Sequence, residues 1–284
     1  MTALAVEVRG LRKQYGEVTA VDGLDLGIHP GEVFGILGPN GAGKSTTVEI
    51  LQGHRSRDAG EVSVLGADPA SGSRTWRSRV GIVWQDESAP AELTVRETVT
   101  HFARYYPKPR DATEVIELVG LGAKADSRVK ALSGGQRRRL DVALGVIGGP
   151  ELLLLDEPTT GFDPAARRQF WDLIRQLAAE GTTILLTTHY LEEAEALADR
   201  LAVIAAGRVV AEGEPAALRE QYGTDATVEW SEPDGAQRSE RTATPTRTVA
   251  ELMQRFDGEI PGLGISRPTL EDVYLRLTGQ ENAR

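Results

Sequence analysis

The stretch Gly38-Pro39-Asn40-Gly41-Ala42-Gly43-Lys44-Ser45 follows the apolar run Val33 to Leu37 and precedes a helical pattern that Thr46 continues. It fits the eight-position phosphate pattern G-x-x-x-x-G-K-[ST], in which glycines let successive backbone N–H groups turn inward around the α- and β-phosphates. The helix behind the loop adds the positive end of its dipole to the same anion. Lys44 is placed to reach the β- and γ-phosphates. Ser45, the first hydroxyl after the lysine, is placed to hold Mg²⁺ between them. Strand, loop and helix together predict a nucleoside triphosphate site.

Other short apolar runs end in the same way at residues with chemistry to offer. Val80 to Trp84 ends at Gln85, Leu152 to Leu155 at Asp156-Glu157, and Thr183 to Thr188 at His189. Runs of this length read as buried parallel strands, and ligands of open α/β sheets sit outside the carboxyl ends of such strands. Between two of them, Asp163 as N-cap and Pro164 at the first helical position open a helix with Phe170, Leu173, Ile174 and Leu177 on one face, stopped by Gly181. Upstream, Val6 and Val8, then Leu24, Leu26 and Ile28, alternate with polar or small residues, as antiparallel strands with one wet face do.

From about Leu93 to Gly149 the periodicity is helical, which predicts a helical subdomain inserted between the Gln85 and Asp156 strands. After about Arg219 the texture changes. A strand-like segment runs from Asp225 to Trp230, a Pro-Asp-Gly turn follows at 233–235, and two short helix patterns close the chain. In the last of these Thr269 caps, Asp272 is its box partner, and Leu270, Val273, Tyr274 and Leu277 form one stripe. The expected division is 1–218 and 219–284.

Asp156 and Glu157, at the end of four leucines, are what metal-dependent phosphoryl transfer needs: one carboxylate for Mg²⁺, and one aimed at the γ-phosphate to polarise the attacking water. Leu132-Ser133-Gly134-Gly135-Gln136 opens a helix through Leu140, Ala143, Leu144 and Ile147. Its start leaves a hydroxyl and unshielded backbone N–H groups, an anion site with no anion in its own neighbourhood.

The composition narrows the setting. A net charge of −10 argues against broad adhesion to nucleic acid or anionic lipid, so membrane association is expected to run through a protein partner. The absence of cysteine removes disulfides, thiolate zinc sites and thiol nucleophiles. No apolar tract approaches the ~18 residues of a membrane span, and the first residues lack the basic head and apolar core of a secretory signal. Cytoplasmic residence is the expectation.

The order of these elements resembles the ATP-binding cassette (ABC) family over about Leu4 to Gly213. The resemblance implies an α/β fold of the P-loop NTPase type, with a parallel-sheet core, an antiparallel β subdomain, an inserted helical subdomain at about 90–149 and a small C-terminal α+β appendage. It makes Gly38 to Ser45, with Thr46, the Walker A motif, Leu152 to Asp156 Walker B, Glu157 the catalytic carboxylate, and Ser133, Gly134, Gly135 and Gln136 the signature that binds ATP. It adds Gln85 as the Q-loop glutamine at the metal and hydrolytic site, Asp163 as the D-loop aspartate, His189 as the switch histidine and Tyr15 as the adenine-stacking aromatic. Ser45, Gln85 and Asp156 would serve Mg²⁺.

The family's mechanism joins two cassettes head to tail, so that each ATP lies between the Walker A of one and the signature of the other. The implied assembly is a homodimer holding two ATP on a separate membrane permease at the cytoplasmic face, with no nucleic acid. The tail Arg267 to Gly279 and the phrase Tyr190 to Arg200 look like the daunorubicin-resistance branch of bacterial drug exporters. The alternative is a soluble cassette ATPase acting on ribosomes or DNA. Such proteins usually carry two cassettes or a long coiled-coil insertion, and this chain has one signature and no heptad run.

Overall fold

Val6 and Val8 on one strand, and Leu26 and Ile28 on the next, are buried partners in an antiparallel pair, β1 (Val6–Tyr15) and β2 (Val18–Ile28), with registers Val6↔Ile28 and Val8↔Leu26. The alternation in the sequence thus sends one face of the pair to the core. The computed structural model describes residues 3–84, 92–223, 225–256 and 258–279. It divides into two compact units, Met1–Glu212 and Gly213–Arg284.

In the first unit the chain continues through β3 (Val33–Leu37), α1 (Lys44–Leu51), β4 (Ala59–Val64), the single turn α2 (Arg74–Arg77) and β5 (Val80–Val83). Helices α3 (Val95–Ala103), α4 (Ala112–Leu118) and α5 (Gly134–Val146) form the inserted helical subdomain. Then come β6 (Leu152–Asp156), α6 (Pro164–Ala179), β7 (Thr183–Thr188), α7 (Leu191–Leu197), β8 (Arg200–Ala205) and β9 (Arg208–Gly213).

Two sheets result. The first has the order β2-β1-β4, and the second β5-β6-β7-β3-β8-β9. The pairs β5/β6, β6/β7, β7/β3 and β3/β8 are parallel, and every residue of β3 and β7 is buried, as expected for strands covered on both faces. One core cluster lies between the sheets and α1, around Phe34, Ile36, Val48 and Leu51. Another fills the helical side, where Val99, Ile116, Leu140 and Val146 meet Phe170, Ile174 and Leu177 of α6. Helix α6 begins as the sequence predicts, with Asp163 Oδ1 accepting from the Ala165 and Ala166 amides and Pro164 at the first position.

In the second unit α8 (Pro215–Tyr222) leads to β10 (Ala226–Ser231), β11 (Gln237–Thr242), α9 (Pro245–Arg255), β12 (Gly264–Ser266) and α10 (Leu270–Leu277). The strand order is β11-β10-β12, both pairs antiparallel, and a small core of Val228, Trp230, Leu252 and Ile260 lies against it. Thr269 and Asp272 form the full capping box at the start of α10. Helix α8 belongs to this unit. No helix among the described residues is long and apolar enough to cross a membrane.

Candidate functional site

The central strand β3 carries the site. Its last residue, Leu37, is in register with Thr188 of β7 on one side and Val203 of β8 on the other, while Asp156 of β6 pairs with Thr187. Parallel register therefore brings together the loop after β3, the acidic pair after β6 and His189 after β7. Gln85 lies outside the described residues.

The loop from Gly38 to Gly43 is packed to a tolerance that excludes side chains at both ends. A Cβ on Gly38 would lie 2.4 Å from the Ile204 carbonyl oxygen, and one on Gly43 would lie 2.3 Å from that of Ala20, at a φ of +102°. Gly43 is also the cap residue of α1, which supplies no side-chain acceptor, and the first turn holds no acidic residue. The N-terminal amides of α1 thus have no anion of their own sequence. Ser45 is exposed and Thr46 half-buried, whereas Thr47 is buried and returns its hydroxyl to the Gly43 carbonyl at 2.9 Å.

Lys44 is 5% exposed. Its Nζ donates to the carbonyls of Gly38 (2.8 Å) and Pro39 (3.3 Å) and lies 4.0 Å from Glu157 Oε1. Burial pushes the ammonium pKa down, and the Glu157 and Asp156 carboxylates push back. A buried ammonium with three donors, two of them on neutral carbonyls, retains capacity for a strong anion. The cradle of backbone, helix end and lysine fits a polyphosphate.

Asp156 and Glu157 are fixed from β7. The Thr187 hydroxyl donates to Asp156 Oδ1 and accepts from the Glu157 amide at 3.0 Å, and that amide also donates to the Thr187 carbonyl at 3.1 Å. Glu157 takes a left-handed φ of 44°. Its Oε2 lies 3.3 Å from His189 Nδ1, so the carboxylate stands between Lys44 and His189. Among the described residues no group of three or more His, Asp or Glu is arranged to hold a metal. Asp156 and the Ser45 hydroxyl nevertheless suit Mg²⁺, which is usually held by one or two protein oxygens with phosphate and water completing the octahedron.

Tyr15, at the end of β1, is 39% exposed, with Lys13 Nζ 5.4 Å and the Arg55 guanidinium 5.2 Å from its ring centroid. At the start of α5, Ser133 Oγ accepts from the Gln136 amide (3.3 Å) and Gln136 Oε1 from the Ser133 amide (3.0 Å). This capping box uses the serine as acceptor and leaves its O–H to donate elsewhere. A Cβ on Gly134 would meet nothing within 4 Å, and one on Gly135 only Ala166 Cβ at 3.9 Å. Packing among the described residues does not require either glycine.

The structure adds residues that the sequence did not flag. Thr187 braces the acidic pair. Glu193, on α7, is buried with the Thr188 and Thr159 hydroxyls and the Trp171 indole beside it, and desolvation pushes its carboxyl pKa up against these donors and Arg167. A raised carboxyl pKa contributes stability that is present below the unfolded glutamate value, about 4.3, and is lost as pH rises through the folded value. Glu193→Gln should therefore match wild type in acid and become the more stable protein towards neutral pH, as thermal melts at pH 4 and 8 would read. A wild-type advantage at pH 8 would contradict this.

A groove of about 370 Å³ lies beside the end of β5, lined by Trp76, Trp84, Phe102, Tyr106 and Leu144 among others.

These features have parallels among known proteins. Residues 21–160 match the family described as ABC transporter. The Nod factor export ATP-binding protein I of Burkholderia orbicola (strain AU 1054) is 42% identical over 302 residues, covering 99% of each chain. The protein of the same name from Rhizobium sp. (strain N33) is 42% identical over 306 residues, again with 99% of each covered. Among solved structures, the ATP-binding subunit of an ABC transporter superposes with a TM-score of 0.69 at 28% identity, covering 78% of this chain and 94% of that one. An ATP-binding cassette in a dimeric post-hydrolysis state with ADP and Pi gives 0.66 at 25% identity, with 74% and 98% covered. A full-length match at this identity, together with a phosphate cradle facing a paired Asp and Glu, establishes that the chain belongs to the ABC transporter family as one of its ATP-hydrolysing subunits.

Proposed function

We propose that this subunit energises an exporter, as a head-to-tail homodimer that closes on two ATP and drives a permease supplied as a separate chain at the cytoplasmic face of the membrane. The observation that carries the dimer is the start of α5. Two glycines that packing among the described residues does not need, a serine hydroxyl left to donate and a helix start with no acidic residue in its first turn together suit an anion from outside. The γ-phosphate on a second copy has that chemistry, and the dimeric ADP and Pi cassette supports the arrangement. ATP then stabilises only the closed state, and hydrolysis releases it.

Within one half-site, Tyr15 stacks on adenine, and residues Gly38 to Thr46 hold the phosphates. Ser45 and Asp156, with Gln85, would hold Mg²⁺, whose chemistry there is to neutralise charge on the β- and γ-phosphates. Glu157 accepts the proton of the attacking water, His189 steadies the Glu157 carboxylate and the γ-phosphate, and Ser133, Gly134, Gly135 and Gln136 complete the site from the partner copy. Asp163 Oδ1 is engaged by the first amides of α6, so its part in the interface is to fix the turn that precedes that helix. The aromatic groove beside Trp84 suits an apolar segment of the permease.

The cargo has two readings. The C-terminal text favours a drug or antibiotic of the daunorubicin kind, and the names of the relatives favour Nod factor. Fractionation of the source cells tests the assignment first: the chain is expected in membranes, extractable by detergent in complex with an integral protein. Recovery with ribosomes or nucleoid would overturn it in favour of a soluble ATPase. Inside-out vesicles offered daunorubicin and Nod factor, each with and without ATP, then decide the cargo.

A further inference from the structure

Arg138 lies in the first half of α5 and is 8% exposed. Its guanidinium donates from Nε to the Pro158 carbonyl (3.0 Å), from Nη2 to the Asp156 carbonyl (2.9 Å) and from Nη1 to the Trp84 carbonyl. Asp156 and Pro158 are the neighbours of Glu157 on either side. The third carbonyl, that of Trp84, directly follows β5 and immediately precedes Gln85. One planar fork thus joins the signature helix, the end of β5 and both flanks of the acidic turn.

The turn needs such a brace. A left-handed non-glycine residue is strained and persists only where its surroundings over-determine it. The Glu157 amide is held by Thr187, and its two flanking carbonyls are held by Arg138. Burial works against the guanidinium charge, and the carboxylates of Asp141, Asp156 and Glu193 oppose that effect. Retaining a cation in such a place for a surface purpose makes no physical sense, because its reach is entirely inward. Lysine could not replace it, since a compact ammonium cannot span carbonyls in three directions.

We propose that Arg138 is a positioning residue for hydrolysis, fixing the carbonyls on either side of Glu157 so that its carboxylate stays between Lys44 and His189. Because the same helix begins with Ser133 and Gly134, a shift of α5 onto a nucleotide is transmitted to the Glu157 turn through this guanidinium. The proposal rests on Glu157 being the base. Displacing a reacting group by ~1 Å costs on the order of 100-fold in rate.

The test is the steady-state kinetics, equilibrium MgATP affinity by calorimetry and melting temperature of Arg138→Lys and Arg138→Met, run beside Glu157→Gln. Arg138→Lys keeps stem and charge, and decides the matter if Arg138→Met does not fold. The expected result is a kcat lower by about 100-fold, with KM and MgATP affinity within about threefold of wild type. A folded Arg138→Lys with kcat within about threefold of wild type overturns the proposal. So does a parallel fall of kcat, affinity and melting temperature, the mark of a merely structural residue. Turnover by Glu157→Gln would remove the base assignment itself, whereas an inert Glu157→Gln beside an active Arg138→Lys overturns this proposal alone.

Discussion

Glu157→Gln is expected to keep ATP binding and to lose turnover by about 10²- to 10⁴-fold, the range that a placed general base contributes. Glutamine has the volume of glutamate and fits the same left-handed turn, whose amide remains bonded to Thr187. What it lacks is a carboxylate oxygen able to take a proton from water. The phosphate cradle, formed by the loop after β3 and the start of α1, does not depend on that oxygen, since Lys44 Nζ is held by the Gly38 and Pro39 carbonyls and stands 4.0 Å from Glu157. Phosphate release from radiolabelled ATP measures the loss, and a steady-state rate equal to wild type would take Glu157 out of the base role.

Lys44→Ala is expected to act on binding as well as on rate. The ammonium is the buried cation of the cradle, and a hydrogen bond to a charged group contributes about 1.5–3 kcal/mol. Its loss should weaken MgATP by roughly 10- to 100-fold and lower kcat further, because the lysine also meets charge that grows on the γ-phosphate during transfer. The same substitution removes the lysine donor from the buried Gly38 carbonyl, while the Pro39 carbonyl keeps the Ala42 amide at 3.1 Å, so a lower melting temperature accompanies it. Calorimetric titration with MgATP reads the first effect. Wild-type affinity and turnover in this variant would sink the phosphate-loop assignment.

The parts of the site that follow strands were legible in the sequence because each is written contiguously: an apolar run, then the residues that act. Parallel pairing does the rest, placing Leu37 beside Thr188 and Asp156 beside Thr187 without any information beyond strand order. The caps were legible for the same reason, since Asp163 and Thr269 act within three residues of themselves.

What was not legible acts across elements. Arg138 reads as the middle of a basic run, Arg137 to Arg139, and its burial shows only in the face it shares with Val142 and Gly145. Thr187 reads as one more β-branched strand residue, although its hydroxyl holds the acidic pair. Glu193 sits in an acidic stretch whose neighbours Glu192 and Glu195 are exposed, and only its place beside Ala194 and Leu197 on the inner face of α7 sets it apart. A charge run looks solvated until the helix carrying it is docked. The signature is the opposite case: its glycines were legible as motif residues, whereas among the described residues a Cβ on Gly134 meets nothing within 4 Å and one on Gly135 only Ala166 Cβ at 3.9 Å, so packing does not explain them.

The molar mass and nucleotide content of Glu157→Gln, by light scattering with and without MgATP, test the proposed composite site most directly. The expected result is a monomer without nucleotide and a dimer retaining two ATP when MgATP is present. A protein that binds one ATP per chain and stays monomeric would contradict it.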